Sequence, residues 1–277
     1  MSHFCLRLVL LVLPRRRRLM RESISRSFPD KSRSEISAIA QESVARLAKG
    51  IAVFSRLPAI ADNLEPEWVG CKGSHYLEEA LKKGHGVITP SAHFGCWELL
   101  ATYLMRYAPG GAAVARPLDN PKLDHLVNRI RSVGTGLFIP KRDVLKQGIR
   151  ILKKNGILGI IMDQNFAPGG VFVPFFGRLA ATTPIVPILA RRTGAAVVPV
   201  YCEWQGRKTI IHVEPPIVLS TKADSDEAVA EDTVRISEVM ERWVRRDPAN
   251  WLWLHNRWKR QPEDGEAVWR GRRDLNP

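Results

Sequence analysis

The chain has 277 residues, 45% of them hydrophobic, which is enough for a sizeable core and excludes disorder throughout. Its four cysteines (Cys5, Cys71, Cys96 and Cys202) are too sparse for a disulfide scaffold and lack CxxC spacing, so they read as reduced thiols rather than a zinc cage. The formal net charge of +14 implies an anionic partner: nucleic acid, a membrane surface, an acidic protein or a phosphorylated substrate.

Half of that excess lies in residues 1–33, where nine bases face two acids. The run Arg15–Arg18 follows closely on Phe4–Leu13, which is apolar apart from Arg7. As a helix this stretch would extend roughly 15 Å, about half a hydrocarbon core, so it cannot cross a bilayer alone. It suits the interface, with arginines on anionic headgroups. A cleavable signal peptide is disfavoured, because bases and no small-residue cleavage site follow the apolar run. A disordered basic tail and a nucleic-acid arm are the alternatives. No other long apolar stretch occurs in the chain.

Ser34 to Lys49 carries Ile36, Ile39, Ala40, Val44, Leu47 and Ala48 at helical spacing, with Gly50 as the expected stop. His75–Lys83 predicts a helix ending at Gly84, and Gly86–Pro90 a short strand. Strands and helices then alternate. Trp97–Tyr107 is helical, Ala112–Ala115 a strand, and Pro121–Val133 a helix capped by Asn120 with proline at its first position. Leu137–Pro140 is a strand, Asp143–Lys154 a helix closed by Asn155-Gly156, and Ile157–Met162 an apolar strand. Pro184–Thr193 is a helix between Thr183 and Gly194. Ala196–Trp204 and Thr209–Val213 read as a hairpin about Gln205-Gly206, and Ser225–Arg246 as a long amphipathic helix.

This alternation predicts an α/β fold: a single domain with a mixed, mostly parallel sheet flanked by helices. Residues 34–260 form that domain in this reading, after a membrane-associating segment (1–33) and before a polar tail (261–277). No repeat or low-complexity linker interrupts it.

In open α/β sheets, sites lie beyond the carboxyl ends of strands. Three strand exits carry polar residues: Ser91-Ala92-His93, Ala115-Arg116-Pro117 and Met162-Asp163-Gln164. The first continues as Phe94-Gly95-Cys96-Trp97-Glu98, a His-x₄-Glu spacing. On one continuous helix five residues subtend about 140°, so His93 and Glu98 would not share a face. They meet only if His93 sits in the loop and Glu98 in the first turn of the next helix, a bend that Gly95 permits. A carboxylate beside imidazole then fixes the tautomer and makes His93 a general base. The alternative is a glutamate on the helix dipole beside an unrelated loop histidine. Cys96 reads as a small apolar helix residue. Ser91 lacks a G-x-S-x-G elbow, and the pattern is not HExxH, so neither a serine hydrolase nor a metal site is indicated.

Seven stretches in order resemble the bacterial lipid A biosynthesis acyltransferases, the late lauroyl/myristoyl transferases of the lysophospholipid acyltransferase superfamily. They are Ser27-Phe28-Pro29-Asp30-Lys31-Ser32, His93 to Glu98, Ala115-Arg116-Pro117-Leu118-Asp119-Asn120, Met162-Asp163-Gln164, Val171 to Arg178, Ala195 to Val200, and Trp253 to Lys259. The resemblance runs from about Arg21 to Pro262.

That resemblance implies a glycerol-3-phosphate acyltransferase-like fold and a His-x₄-Asp/Glu dyad formed by His93 and Glu98. It implies an acyl thioester donor, from acyl carrier protein or CoA, and a lipid A precursor hydroxyl as acceptor. Arg116 matches the superfamily's basic block, which grips phosphate or donor. Asp163 follows a buried strand and is expected at the site, with a helix-cap or turn role as the alternative. Gly177 and Arg178 match the glycine-containing substrate block, with Gly177 allowing close backbone approach and Arg178 pairing with phosphate. No metal or organic cofactor is required. The expected place is the cytoplasmic face of a bacterial inner membrane, with no nucleic-acid partner. Another glycolipid or polar lipid, such as a phosphatidylinositol mannoside or ornithine lipid, is the rival acceptor, and a non-catalytic basic membrane or nucleic-acid binding module the rival of another class. The late tryptophans Trp243, Trp251, Trp253, Trp258 and Trp269, interleaved with Arg257, Lys259 and Arg260, suit a membrane interface under this resemblance, or else a packed C-terminal lid. Relatives usually carry a longer N-terminal hydrophobic helix than Phe4–Leu13.

Overall fold

The computed structural model describes residues 14–60, 68–104, 107, 110–132, 137–166, 169–222 and 225–262. Phe4–Leu13, Val133, Trp269 and the tail beyond Pro262 lie outside the described residues. Contacts gather the chain into two compact units. Of the described residues, the first takes 14–49, 162–184 and 220–262; the second takes those within 50–161 and 185–219. The chain enters each unit more than once, so no linker of distinctive composition marks the division.

The second unit contains the parallel sheet. Its strand order is β4-β3-β5-β2-β8, from β2 (Val87–Ser91), β3 (Ala112–Ala115), β4 (Leu137–Pro140), β5 (Ile157–Ile161) and β8 (Ala196–Val197). All four pairings are parallel. The crossovers are α4 (Trp97–Leu104), α5 (Pro121–Arg131), α6 (Val144–Lys153) and α7 (Ile185–Thr193). β2 is buried at every position, as a central parallel strand should be. Pro90 is tolerated there for a local reason. It shares parity with Ile88, whose carbonyl accepts from Val198 N, so the donor proline lacks points past the end of β8.

A second sheet in the same unit has the order β1-β10-β9. Here β1 (Val69–Lys72) runs parallel to β10 (Lys208–Val213), and β10 pairs antiparallel with β9 (Val200–Gln205). The expected hairpin about Gly206 is present, but the expected strand Ala196–Trp204 is split. Ala196 and Val197 join the parallel sheet, and Pro199 precedes β9 in the other. Proline has no N–H to give a ladder, so the strand changes sheets there. Leu77 of α3 (Ser74–Lys82), Leu99, Ile157, Val200 and Ile211 join the shared core.

The first unit contains α1 (Pro14–Ser27), the hairpin β6 (Val171–Phe175) and β7 (Arg178–Thr182), and α8 (Asp226–Arg246). Met20 and Ile24 of α1 are buried. Four of the five late tryptophans lie among the described residues, and they follow the packed alternative, not the membrane-interface one. Trp243, Trp251, Trp253 and Trp258 are all buried, with Trp251 edge-on to Trp253 at 4.6 Å. They are core residues, and burial of these large rings offsets the cost of ordering the C-terminal segment.

Gly50 does not end its helix. α2 runs from Arg33 to Ile60, with Pro58 inside its last turn. A mid-helix glycine costs about 1 kcal/mol, which is less than the burial of one large apolar side chain restores. Leu57 is buried, and Val53 and Phe54 pack on the core of the second unit.

Candidate active site

The loop between β2 and α4 is set by packing on both sides of His93. Ala92 and Phe94 are buried, Phe94 lying edge-on to Tyr201 at 5.7 Å. Gly95 has φ +62°, and a Cβ there would collide with the Cys202 carbonyl. Glycine is therefore obligatory at this turn, for handedness and for space. His93 is half-buried in the loop, its ring 5.2 Å from that of Trp97 in an edge contact. Glu98 falls in the first turn of α4. Cys96 is buried, as a small apolar residue should be.

Glu98 is held by a residue that sequence reasoning missed. Arg131, the last residue of α5, donates to Glu98 through Nε at 2.9 Å and Nη2 at 2.6 Å. The two side chains are 18% and 21% exposed, so this fork-on-carboxylate pair is shielded from water and worth more than a surface ion pair. A carboxylate offers about four acceptor positions. Two go to Arg131, leaving capacity for a donor such as an imidazole. A single arginine 33 residues downstream gave no spacing signal.

Arg116 lies just beyond the carboxyl end of β3 and pairs with Asp119 at 2.7 Å, both largely exposed. Lys141 occupies the equivalent position beyond β4, one residue after the Ala115–Pro140 rung. Burial lowers the Lys141 pKa, and the charge of Arg116 lowers it further. Two cations thus border adjacent strand ends.

In the first unit, Asp163 is buried and accepts from Trp251 Nε1 at 2.7 Å. Its charge also supports Arg257, a second residue whose role the sequence did not reveal. Arg257 is 1% exposed and donates to the carbonyls of Gln164 (3.1 Å) and Ala181 (2.7 Å) and to Thr182 Oγ1. Burial pushes its guanidinium down to about 10 despite the support from Asp163.

The β6–β7 turn consists of Phe176 (φ +52°) and Gly177 (φ +68°), a two-residue hairpin loop with both φ positive. Nothing lies within 4 Å of the Cβ position at Gly177, so its handedness alone explains glycine among the protein contacts. Phe176 is strained but firmly held. Its N–H donates to Glu241 at 2.6 Å, and its ring meets Phe28 at 5.3 Å and lies under the Arg245 guanidinium at 4.5 Å. Arg178 follows. Its guanidinium stacks 3.5 Å from the Trp258 ring centroid and reaches Ser27 Oγ at 3.5 Å. Burial, then the charge of Arg26, pushes it down to about 10. Among the described residues no carboxylate pairs with it, and its Nε is buried without a partner.

The sequence profile of the bacterial lipid A biosynthesis acyltransferases matches residues 2–260. The chain belongs to this family. It is 26% identical over 261 residues to the lipid A biosynthesis lauroyltransferase of Escherichia coli, covering 93% of this chain and 83% of that one. It is 28% identical over 268 residues to the lipid A biosynthesis myristoyltransferase of the same organism, covering 95% and 80%. Among solved structures it is similar to the 1-acyl-sn-glycerophosphate acyltransferase of Thermotoga maritima, with TM-score 0.40, 18% identity and coverage of 80% and 85%. As a member of the lipid A biosynthesis acyltransferase family the protein is an acyltransferase enzyme, and its own parallel sheet is flanked by helices. No described helix is long and apolar enough to cross a membrane.

Proposed function

We propose that this enzyme transfers a fatty acyl chain from a thioester, on acyl carrier protein or CoA, to a hydroxyl of a lipid A precursor. His93 and Glu98 form the general-base dyad. The observation that carries this reading is the position of His93 in the loop after β2 with Glu98 in the first turn of α4, the arrangement their spacing requires.

His93 takes the acceptor hydroxyl proton as the oxygen attacks the thioester carbonyl. The tetrahedral intermediate collapses by breaking the C–S bond, and the thiolate leaves with the proton from the imidazolium. Glu98 holds the imidazole and stabilises its cation. Arg131 keeps Glu98 in place. Arg116 receives phosphate or donor. Arg178 holds an anionic group, supported by its half-buried guanidinium with no carboxylate partner among the described residues. Gly177 presents the turn before Arg178. Asp163 acts through Trp251 and Arg257 as a positioning residue. The net charge of +14 steers acidic acyl carrier protein and anionic lipid alike, at the cytoplasmic face of the inner membrane.

The test is transfer of labelled acyl chain by the full chain from acyl-carrier-protein or CoA thioesters to a lipid A precursor, with His93→Ala alongside. A loss of roughly 10²–10⁴ in rate with an unchanged melting curve is expected. Undiminished transfer by folded His93→Ala removes the assigned base.

A further inference from the structure

We propose that α5 and its flanking residues form a surface that seats this protein on an anionic lipid bilayer. The surface extends the membrane-side reading given above, and its consequence for Glu98 rests on that reading.

α5 buries none of its eleven residues. At 100° per residue, Leu123, Leu126, Val127 and Ile130 form one narrow apolar stripe. Ile130 packs against the core of its unit, but Leu123 and Leu126 are 49% and 42% exposed. Leu118 is 40% exposed and adjoins the first turn, its N–H donating to Asp124 at 2.8 Å. Leu137, at the start of edge strand β4, is 53% exposed. Of the eight large hydrophobic residues exposed among the described residues, these four fall between positions 118 and 137. A protein that leaves this much leucine in water around one helix has something to cover it.

Charge selects the occupant. From Arg116 to Arg142 the sequence carries six bases (Arg116, Lys122, Arg129, Arg131, Lys141 and Arg142) against two acids (Asp119 and Asp124). On the helix, Lys122 and Arg129 flank the stripe on the side of Leu126. Leucines bordered by bases match an in-plane interfacial helix on anionic headgroups. A second copy of the chain would bring like charges together across a two-fold axis. On the opposite flank Arg131 turns inward to Glu98, so the helix that meets lipid also holds the dyad carboxylate.

The experiment uses the full chain with Cys5 and Cys71 replaced by serine and an environment-sensitive fluorophore on Leu126→Cys. Vesicles of phosphatidylcholine with phosphatidylglycerol, some brominated on the acyl chain, are the probe. Blue-shifted, bromine-quenched emission is expected, with Leu123→Glu weakening the quenching roughly tenfold. An unchanged probe on a chain that nonetheless floats with vesicles overturns the proposal, because the bilayer is then held elsewhere. A shift produced by acyl carrier protein, or by raised protein concentration, without vesicles overturns it in favour of a protein partner. Acyl transfer to detergent-dispersed acceptor, run in parallel, separates the two readings: absent transfer with intact quenching defeats the function and leaves the surface standing.

Discussion

Arg131 grips both carboxylate oxygens of Glu98 with one edge of its guanidinium, Nε donating at 2.9 Å and Nη2 at 2.6 Å. The pair ties the C-terminal end of α5 to the first turn of α4, so Arg131 controls where the Glu98 carboxylate, the proposed partner of His93, points.

Removing the fork should therefore act on turnover more than on binding. Arg131→Ala is expected to lower kcat by roughly 10², the cost of misplacing a catalytic group by about an ångström, with KM little changed. Arg131→Lys should recover only part of this, since an ammonium keeps the charge but not the bidentate geometry. Steady-state kinetics on folded variants decide it. Full kcat in Arg131→Ala would show that Glu98 is held without it.

Arg178 and Arg257 are both pushed down to about 10 by burial, yet opposite outcomes are expected on truncation. Because the ordinary guanidinium value lies well above this, the unfolded chain binds more protons over a window that opens at about pH 10. The stability cost of each charge is thus fully present at neutral pH and is relieved as pH rises through that window. Among the described residues Arg178 has no carboxylate partner, and at its half-buried position solvent screens part of that cost. Arg178→Gln should leave the melting temperature unchanged or raised by a few degrees, while binding of inorganic phosphate is lost. Arg257 binds two carbonyls and a hydroxyl, so Arg257→Gln strands buried acceptors and should cost about 3 kcal/mol or more in urea unfolding. If Arg178→Gln were the more destabilising, the role given to Arg178 would be structural.

The two positive-φ glycines near the assigned residues also differ. Gly177→Ala meets open space and should cost about 1–2 kcal/mol for handedness alone. Gly95→Ala must displace the Cys202 carbonyl as well, and should cost more than about 3 kcal/mol and abolish transfer. Equal unfolding midpoints for the two variants would contradict this account.

Much of the second unit was legible in the chain because its signals are local. Asn120 caps α5 as expected, accepting from Lys122 N at 3.0 Å, and Gly194 follows α7 with φ +73°. The split at Pro199 and the run-through at Gly50 were not legible, because each was decided by which surface the flanking residues bury. β1 and the β6–β7 hairpin were missed for a related reason. Val69–Lys72 is four residues with glycine inside, and Phe176-Gly177 places a bulky residue where the usual turn signal has asparagine or aspartate.

By itself the sequence determined the alternation of strands and helices, the family, and the spacing of His93 and Glu98, since periodicity, caps and motif order need no distant partner. Tertiary structure alone decided that Arg131 holds Glu98, that Trp251 donates to Asp163, that Trp243, Trp251, Trp253 and Trp258 are core, and that no part of the described chain buries Leu123 and Leu126. Each of these depends on which remote side chain fills the space beside a residue, and on whether burial leaves a polar group with a partner.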